Sequence, residues 1–267
     1  MNTKIIPPLL ATCILTLAML ACNLGKAPSV TQVPQTNTNQ STPQATEAPT
    51  TAPAQTVSAC DNPYLPVIVG ATWNYKLTGP VPDTYTHTIL SVASDSFSEQ
   101  DVFGVGVTRK GNWHCDSGNL TALNPPSGSS GTVDSKNIQV DLQTKDFSGV
   151  TLPVKINAGD AWSQSLDLEG TETINGTASP ASNKLKMDCK ASGVESVTVT
   201  AGTFNAMRLD CTTETHITVQ MANNPVDITL TITNTNWYAE NVGLVKSLTT
   251  GLGFESTVEL LSYNIPK

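Results

Sequence analysis

Cysteine and histidine are the side chains best able to bond covalently, ligate metals or exchange protons near neutral pH. This chain of 267 residues holds six of the first and three of the second. Cys13 and Cys22 fall in the first 22 residues; Cys60, Cys115, Cys189 and Cys211 are spread through the rest. CxxC spacing is absent and only His114 stands beside a cysteine, so a metal site has little to be built from. His87 lies in a Thr-rich run, His114 precedes Cys115, and His216 sits between Thr212 and Gln220. No GxSxG, HExxH, Gly-rich phosphate loop or Cys–His nucleophile pattern accompanies them. Each histidine reads as a solvent-facing or hydrogen-bonded strand residue, and no cofactor is implied. Asp83, Asp95, Glu99 and Asp101 cluster loosely, without the D-x-D-x-D-G loop that converges oxygens on Ca²⁺. They read as charged loop tips.

The N-terminus carries a different chemistry. Lys4 precedes an apolar stretch from Ile5 to Leu20 that is short and broken by proline, as in an export signal, and the small Ala21 closes it. Ala18-Met19-Leu20-Ala21-Cys22 resembles the lipobox of bacterial lipoproteins, although Met19 and Leu20 stand where that family prefers Leu and Ala or Ser. The resemblance implies a signal peptide over residues 1–21, cleavage before Cys22, and acyl chains such as palmitate on Cys22. Two or three chains, each contributing about 0.8 kcal/mol per buried CH₂, would hold the protein on a membrane. The expected location is the extracytoplasmic face of the cell membrane or the outer membrane.

Residues 22–59 follow as a linker. The stretch 31–56 is Pro, Thr, Gln, Asn and Ala in irregular order with no aromatic residue, and it cannot bury enough apolar surface to offset the entropy of ordering. It reads as a disordered tether. Residues 60–267 are left for one extracytoplasmic domain, a size common for a single all-β unit. The composition is 39% hydrophobic and only 13% charged, with a formal charge of −8. Loss of residues 1–21 removes Lys4 alone and makes the acidic excess larger. Such a balance argues against binding nucleic acid, whose phosphates require clustered Lys and Arg.

After Cys60 the apolar residues alternate with period two. Val226-Asp227-Ile228-Thr229-Leu230-Thr231-Ile232-Thr233 sets aliphatic groups on one face and hydroxyls or Asp227 on the other, as do Ile138–Gln143 and Val197–Thr200. Gly-, Pro- and Asn-rich clusters punctuate these runs. The pattern predicts an all-β fold: a single curled antiparallel sheet, or half-open β-barrel, of about ten to twelve strands. Ala201-Gly202 reads as a tight turn between two β-forming runs. Leu65–Trp73 and Leu152–Trp162 echo one another, each an LPV start, a Gly turn and a Trp opening a strand. Trp73, Trp113, Trp162 and Trp237, with Tyr75 and Tyr238, read as core more readily than as an exposed stacking platform.

Three segments in this order resemble exported β-domain proteins of the TapB-like kind. They are Tyr64-Leu65-Pro66-Val67-Ile68-Val69-Gly70-Ala71-Thr72-Trp73-Asn74-Tyr75, Val197-Thr198-Val199-Thr200-Ala201-Gly202-Thr203-Phe204-Asn205-Ala206, and Trp237-Tyr238-Ala239-Glu240-Asn241-Val242-Gly243-Leu244-Val245-Lys246. Thr200 and Glu240 occupy places where that pattern has Pro. The resemblance implies a curled sheet and no particular reaction.

Four cysteines in an exported domain point to two disulfides, with three connectivities open. If Thr200 faces Thr203 across the turn, Cys211 faces Ser192 rather than Cys189, and a bulge near Gly193 would correct the offset of three. Cys189–Cys211 is the pairing this favours, leaving Cys60–Cys115. The functional expectation is a non-enzymatic domain, held to the membrane through Cys22, that binds an unknown protein, glycan or lipid or supports the envelope. A carrier with an apolar cavity, resembling lipoprotein-chaperone folds, is one alternative. A hydrolase of envelope polymers is a weaker one.

Overall fold

A computed structural model describes residues 58–124, 132–221 and 224–267. The signal segment, Cys22 and the linker up to residue 57 lie outside the described residues. Thirteen strands make one antiparallel sheet, and no helix occurs among the described residues. They are β1 (Thr72–Thr78), β2 (Asp83–Val92), β3 (Ser96–Phe103), β4 (Thr108–Asp116), β5 (Asn119–Ala122), β6 (Thr132–Asp134), β7 (Ile138–Gly149), β8 (Ala161–Ile174), β9 (Thr177–Val199), β10 (Gly202–Met221), β11 (Asn224–Ala239), β12 (Gly243–Gly251) and β13 (Phe254–Asn264).

Each strand pairs with the one before it in sequence, except that β6 skips β5 and pairs with β4, leaving β5 as a branch from β4. The first and last strands then pair, Thr72 opposite Asn264 through Thr78 opposite Thr257, and turn the meander into a ring of twelve. A ring leaves no long free edge, which an open sheet of this length would have to protect. One seam is thin. The three-residue β6 makes three pairs with β4 and only two with β7. Below β6, side chains cross the gap: Thr121 Oγ1 donates to the Gly149 carbonyl at 3.1 Å, Thr144 Oγ1 to that of Leu123, and Gln164 Nε2 to that of Ala122 at 2.6 Å. The architecture is thus a barrel closed except for this seam.

The β2–β3, β4–β5, β7–β8, β9–β10 and β11–β12 connections gather at one end of the ring, which is covered. Residues 58–71 and 150–160 lie across it, placing Tyr64, Leu152 and Ile156 in the main apolar core with Trp73, Ile89, Phe97, Leu209 and Leu260. Asn62 is the clamp. Its buried amide donates to the carbonyls of Gly118, Leu152 and Pro153, and its Oδ1 accepts from Tyr64 N. The two LPV segments therefore meet at the same lid. The remaining hairpins form the opposite end.

Cys60 is bonded to Cys115 and Cys189 to Cys211. Val199 pairs with Gly202 and Thr198 with Thr203, so the turn centres on Thr200-Ala201, with Gly202 at φ +140° on its exit. This corrects the expected Thr200–Thr203 pairing and accounts for two residues of the offset. A bulge after Arg208, which stands opposite Gly193 while Leu209 stands opposite Ala191, accounts for the third. Cys211 then falls directly across from Cys189.

Candidate functional site

Period-two alternation in β3 puts Phe97, Glu99, Asp101 and Phe103 on one face, and that face is the inside of the barrel. Register carries the rest. Opposite this row β2 supplies Ile89, His87 and Tyr85, β1 supplies Trp73 and Tyr75, and β4 supplies Trp113 and Arg109. Glu99 is 2% exposed and Asp101 6%. Asp95 sits in an exposed turn, and Asp83 opens β2 at the barrel's other end, half-buried, where it accepts from Thr84 N and Val105 N. The reading of all four acids as loop tips is corrected: one is in a turn, one opens a strand, and two are buried within the barrel.

Both buried acids reach His87. Its Nδ1 lies 2.8 Å from Asp101 Oδ1 and its Nε2 3.4 Å from Glu99 Oε2. Burial pulls the imidazole toward its neutral form, but Glu99 and then Asp101 outweigh it, and the pKa stands above the ordinary 6.5. Burial likewise raises Glu99 above 4.5. Asp101 adds to the rise, while His87 opposes it, as does the Trp113 N–H from beyond full hydrogen-bond geometry. Burial lowers Arg109, with Asp101 and Tyr85 opposing; its guanidinium carbon lies 4.5 Å above the Phe103 ring. Tyr75 and Tyr85 stack at 5.1 Å, and Tyr85 on Phe103 at 4.7 Å. Burial raises the hydroxyl of Tyr238 to about 12, with Glu99 contributing. All these groups form one compensated network of buried charges and phenols.

The network does not assemble hydrolase machinery. With both ring nitrogens of His87 facing carboxylates, neither is positioned to take a proton from a hydroxyl. His114 points outward, its ring 5.8 Å from that of Phe147. His216 pairs on the exposed face with Glu214 at 2.9 Å and with Thr229. No group of three or more His, Cys, Asp or Glu among the described residues is arranged to hold a metal ion.

Tyr238 also faces a second feature, a cleft of about 510 Å³ at the covered end. The segments that build it are far apart in sequence: Tyr64, then Thr203-Phe204-Asn205, then Tyr238 to Val242, with Val194 and Met207 beside them. Its position follows from local contacts. Asn241 N donates to the Pro63 carbonyl at 2.7 Å, and Ala201 N to that of Leu260 at 3.1 Å, folding the β9–β10 hairpin back over β13. Burial raises Tyr64 above 10.0, with Glu240 adding to the rise. Glu240 is the one charged residue in the lining, and no basic group is among it. A second cleft, about 390 Å³, runs over Lys145, Glu169, Pro180 and Thr218.

The family model of the DUF3108-like proteins matches residues 108–250, more than half of the sequence. The chain belongs to the DUF3108-like family. No curated protein matches this DUF3108-like chain. Among solved structures it is similar to a candidate lipoprotein from Parabacteroides distasonis, 17% identical over 76% of this chain and 99% of that one, with a TM-score of 0.48. A candidate exported protein with YmcC-like fold from Bacteroides fragilis is 14% identical over 75% and 98%, at 0.47. The hypothetical lipoprotein YmcC from Escherichia coli is 11% identical over 80% and 92%, at 0.35.

Of the aromatic residues expected in the core, Trp73 is fully buried, with its indole N–H donating to the Val242 carbonyl at 2.6 Å. Trp113 and Trp162 pack at the core's margin. Trp237 also packs against the core from its margin, with Arg208 and Lys246 over its ring at 5.9 and 6.0 Å and its N–H donating to Glu195. The sequence reading missed Arg109, Tyr85 and the inward placement of Glu99 and Asp101. The signal was available, since both acids share parity with Phe97 and Phe103.

Proposed function

We propose that this chain is an exported lipoprotein, anchored through acyl chains on Cys22, whose β-domain is a non-enzymatic binding module using the cleft at its covered end. The observation carrying this reading is the convergence of Tyr64, Thr203–Asn205 and Tyr238–Val242 on one cleft of about 510 Å³, a volume suited to a small ligand. These residues come from all three segments of the TapB-like resemblance. A lining with one carboxylate and no cation disfavours phosphorylated or otherwise anionic ligands. Three aromatic rings alongside Thr203, Asn205 and Asn241 suit a neutral, hydroxyl-rich molecule with an apolar face, and a glycan fragment has that character. Two disulfides accord with export to an oxidising compartment. Against the carrier alternative stands the packing of the barrel interior, where buried side chains gather in two apolar clusters, one around Trp73 and Leu260 and one around Leu142 and Leu166.

Two experiments test the two halves. Cys22→Ser should move the protein from the membrane to the soluble fraction; a variant that stays membrane-bound removes the anchor. Ligand-observed NMR with neutral oligosaccharides from the envelope should detect binding that Phe204→Ala weakens about tenfold, the equivalent of losing one aromatic contact. Equal binding by both forms would displace the ligand from the cleft.

A further inference from the structure

The histidine inside the barrel has no task in the reading just given, yet both its ring nitrogens face buried carboxylates. We propose that His87, Glu99 and Asp101 form a proton-dependent lock that fastens β2 to β3 while His87 is charged and slackens that wall when the proton leaves. His87 is across from Asp101 in the β2–β3 ladder, and Ile89 across from Glu99, so the imidazole is flanked along the same neighbouring strand by two carboxylates. The contacts at 2.8 and 3.4 Å use both ring nitrogens. Only the doubly protonated ring can offer an N–H to each.

Every wall around His87 contributes to the balance. From β1 come Tyr75 and the Trp73 ring, 5.4 Å away; from β2 itself Tyr85; from β4 Arg109 and Trp113; and from β11 Tyr238. Arg109 is the other cation of this network, and it acts on Asp101 and Tyr85. Loss of the His87 proton therefore leaves Glu99, 2% exposed, facing a neutral ring in a place where a lone carboxylate is costly. Solvating that carboxylate requires water to enter between the strands, and its entry loosens the β2–β3 contact.

The direction of the pH dependence follows. A histidine raised in the folded state contributes stability below its ordinary 6.5 and loses it as pH climbs through the folded value. A carboxyl raised in the folded state favours its protonated form there, so its contribution also falls with rising pH, from about 4.5 upward. The two act in the same direction, opposite to the usual salt-bridged acid.

The test uses the mature chain with Cys22→Ser, which retains all described residues. The imidazole resonances of His87 are followed by NMR from pH 5 to 9, and amide exchange is read in β2 and β3 against β9 and β10. His87 should titrate with a midpoint above 6.5, and protection in β2 and β3 should fall at least tenfold across that midpoint while β9 and β10 hold. Between pH 5.5 and 8.5, Tm should drop by roughly 3–5 °C more in this protein than in the same chain carrying His87→Gln. A His87 ring neutral at pH 6, or unchanged protection in β2 and β3 across its titration, overturns the lock. Both readings come from the histidine-containing chain, so they stand even if His87→Gln fails to fold.

Discussion

Removing the disulfides one at a time is a quantitative test of how the domain is held together. The Cys60–Cys115 bond closes a separation of 55 residues and Cys189–Cys211 one of 22. Loop-closure entropy in the unfolded chain then gives about 4 kcal/mol for the first and about 3.4 kcal/mol for the second at 25 °C. Cys60 also fastens the segment that Asn62 clamps over the barrel end, so its loss frees a lid in the folded state as well. Cys189 and Cys211 face each other in a ladder that continues on both sides without them. Cys60→Ala/Cys115→Ala should therefore cost the more of the two double variants. In a domain of this size the Tm should fall by roughly 8–16 °C for the first pair and by roughly 7–13 °C for the second. Urea unfolding followed by tryptophan fluorescence gives both free energies on one scale. If removing Cys189–Cys211 costs as much as removing Cys60–Cys115, the loop-length and lid argument is wrong.

Asn62→Ala should lower stability by about 2–3 kcal/mol in urea unfolding, because it strips partners from the carbonyls of Gly118, Leu152 and Pro153 and from Tyr64 N. A loss below about 0.5 kcal/mol would mean that water replaces the amide at little cost. Gly170→Ala should destabilise by about 1–3 kcal/mol despite lying in a regular strand, since its Cβ would fall 1.9 Å from the Asp141 carbonyl oxygen across the β7–β8 ladder. A Gly170→Ala melting point equal to that of the parent would show that the two strands can separate there freely.

Alternation made the strands legible, because a residue facing water and one facing a core differ in solubility at every second position. It made the register much less so. The Cys189–Cys211 alignment depended on which residues centre the turn and on a single bulge, and the local run Thr200-Ala201-Gly202 is compatible with either turn placement. Glu99 and Asp101 were misplaced for a different reason. Acids normally mark the surface, and the partners that make their burial tolerable, His87 and Arg109, lie on other strands. The cleft was beyond reach altogether: Tyr64, Phe204 and Glu240 meet only because hairpins from distant parts of the chain fold over one end.

The pairing of β1 with β13 constrains how the molecule can be made. Nearly every other strand contact links neighbours in sequence, so the β9–β10 hairpin and its disulfide can form as soon as that stretch of chain is available. The ring cannot. Its last ladder joins Thr72 to Asn264, and until the final residues arrive both outer strands expose unpaired backbone and the apolar faces of Trp73 and Leu260. A chain that emerges from a translocation channel N-terminus first would hold that unfinished edge for the whole of its synthesis. Truncating even the last strand should therefore yield aggregation in place of a smaller folded barrel.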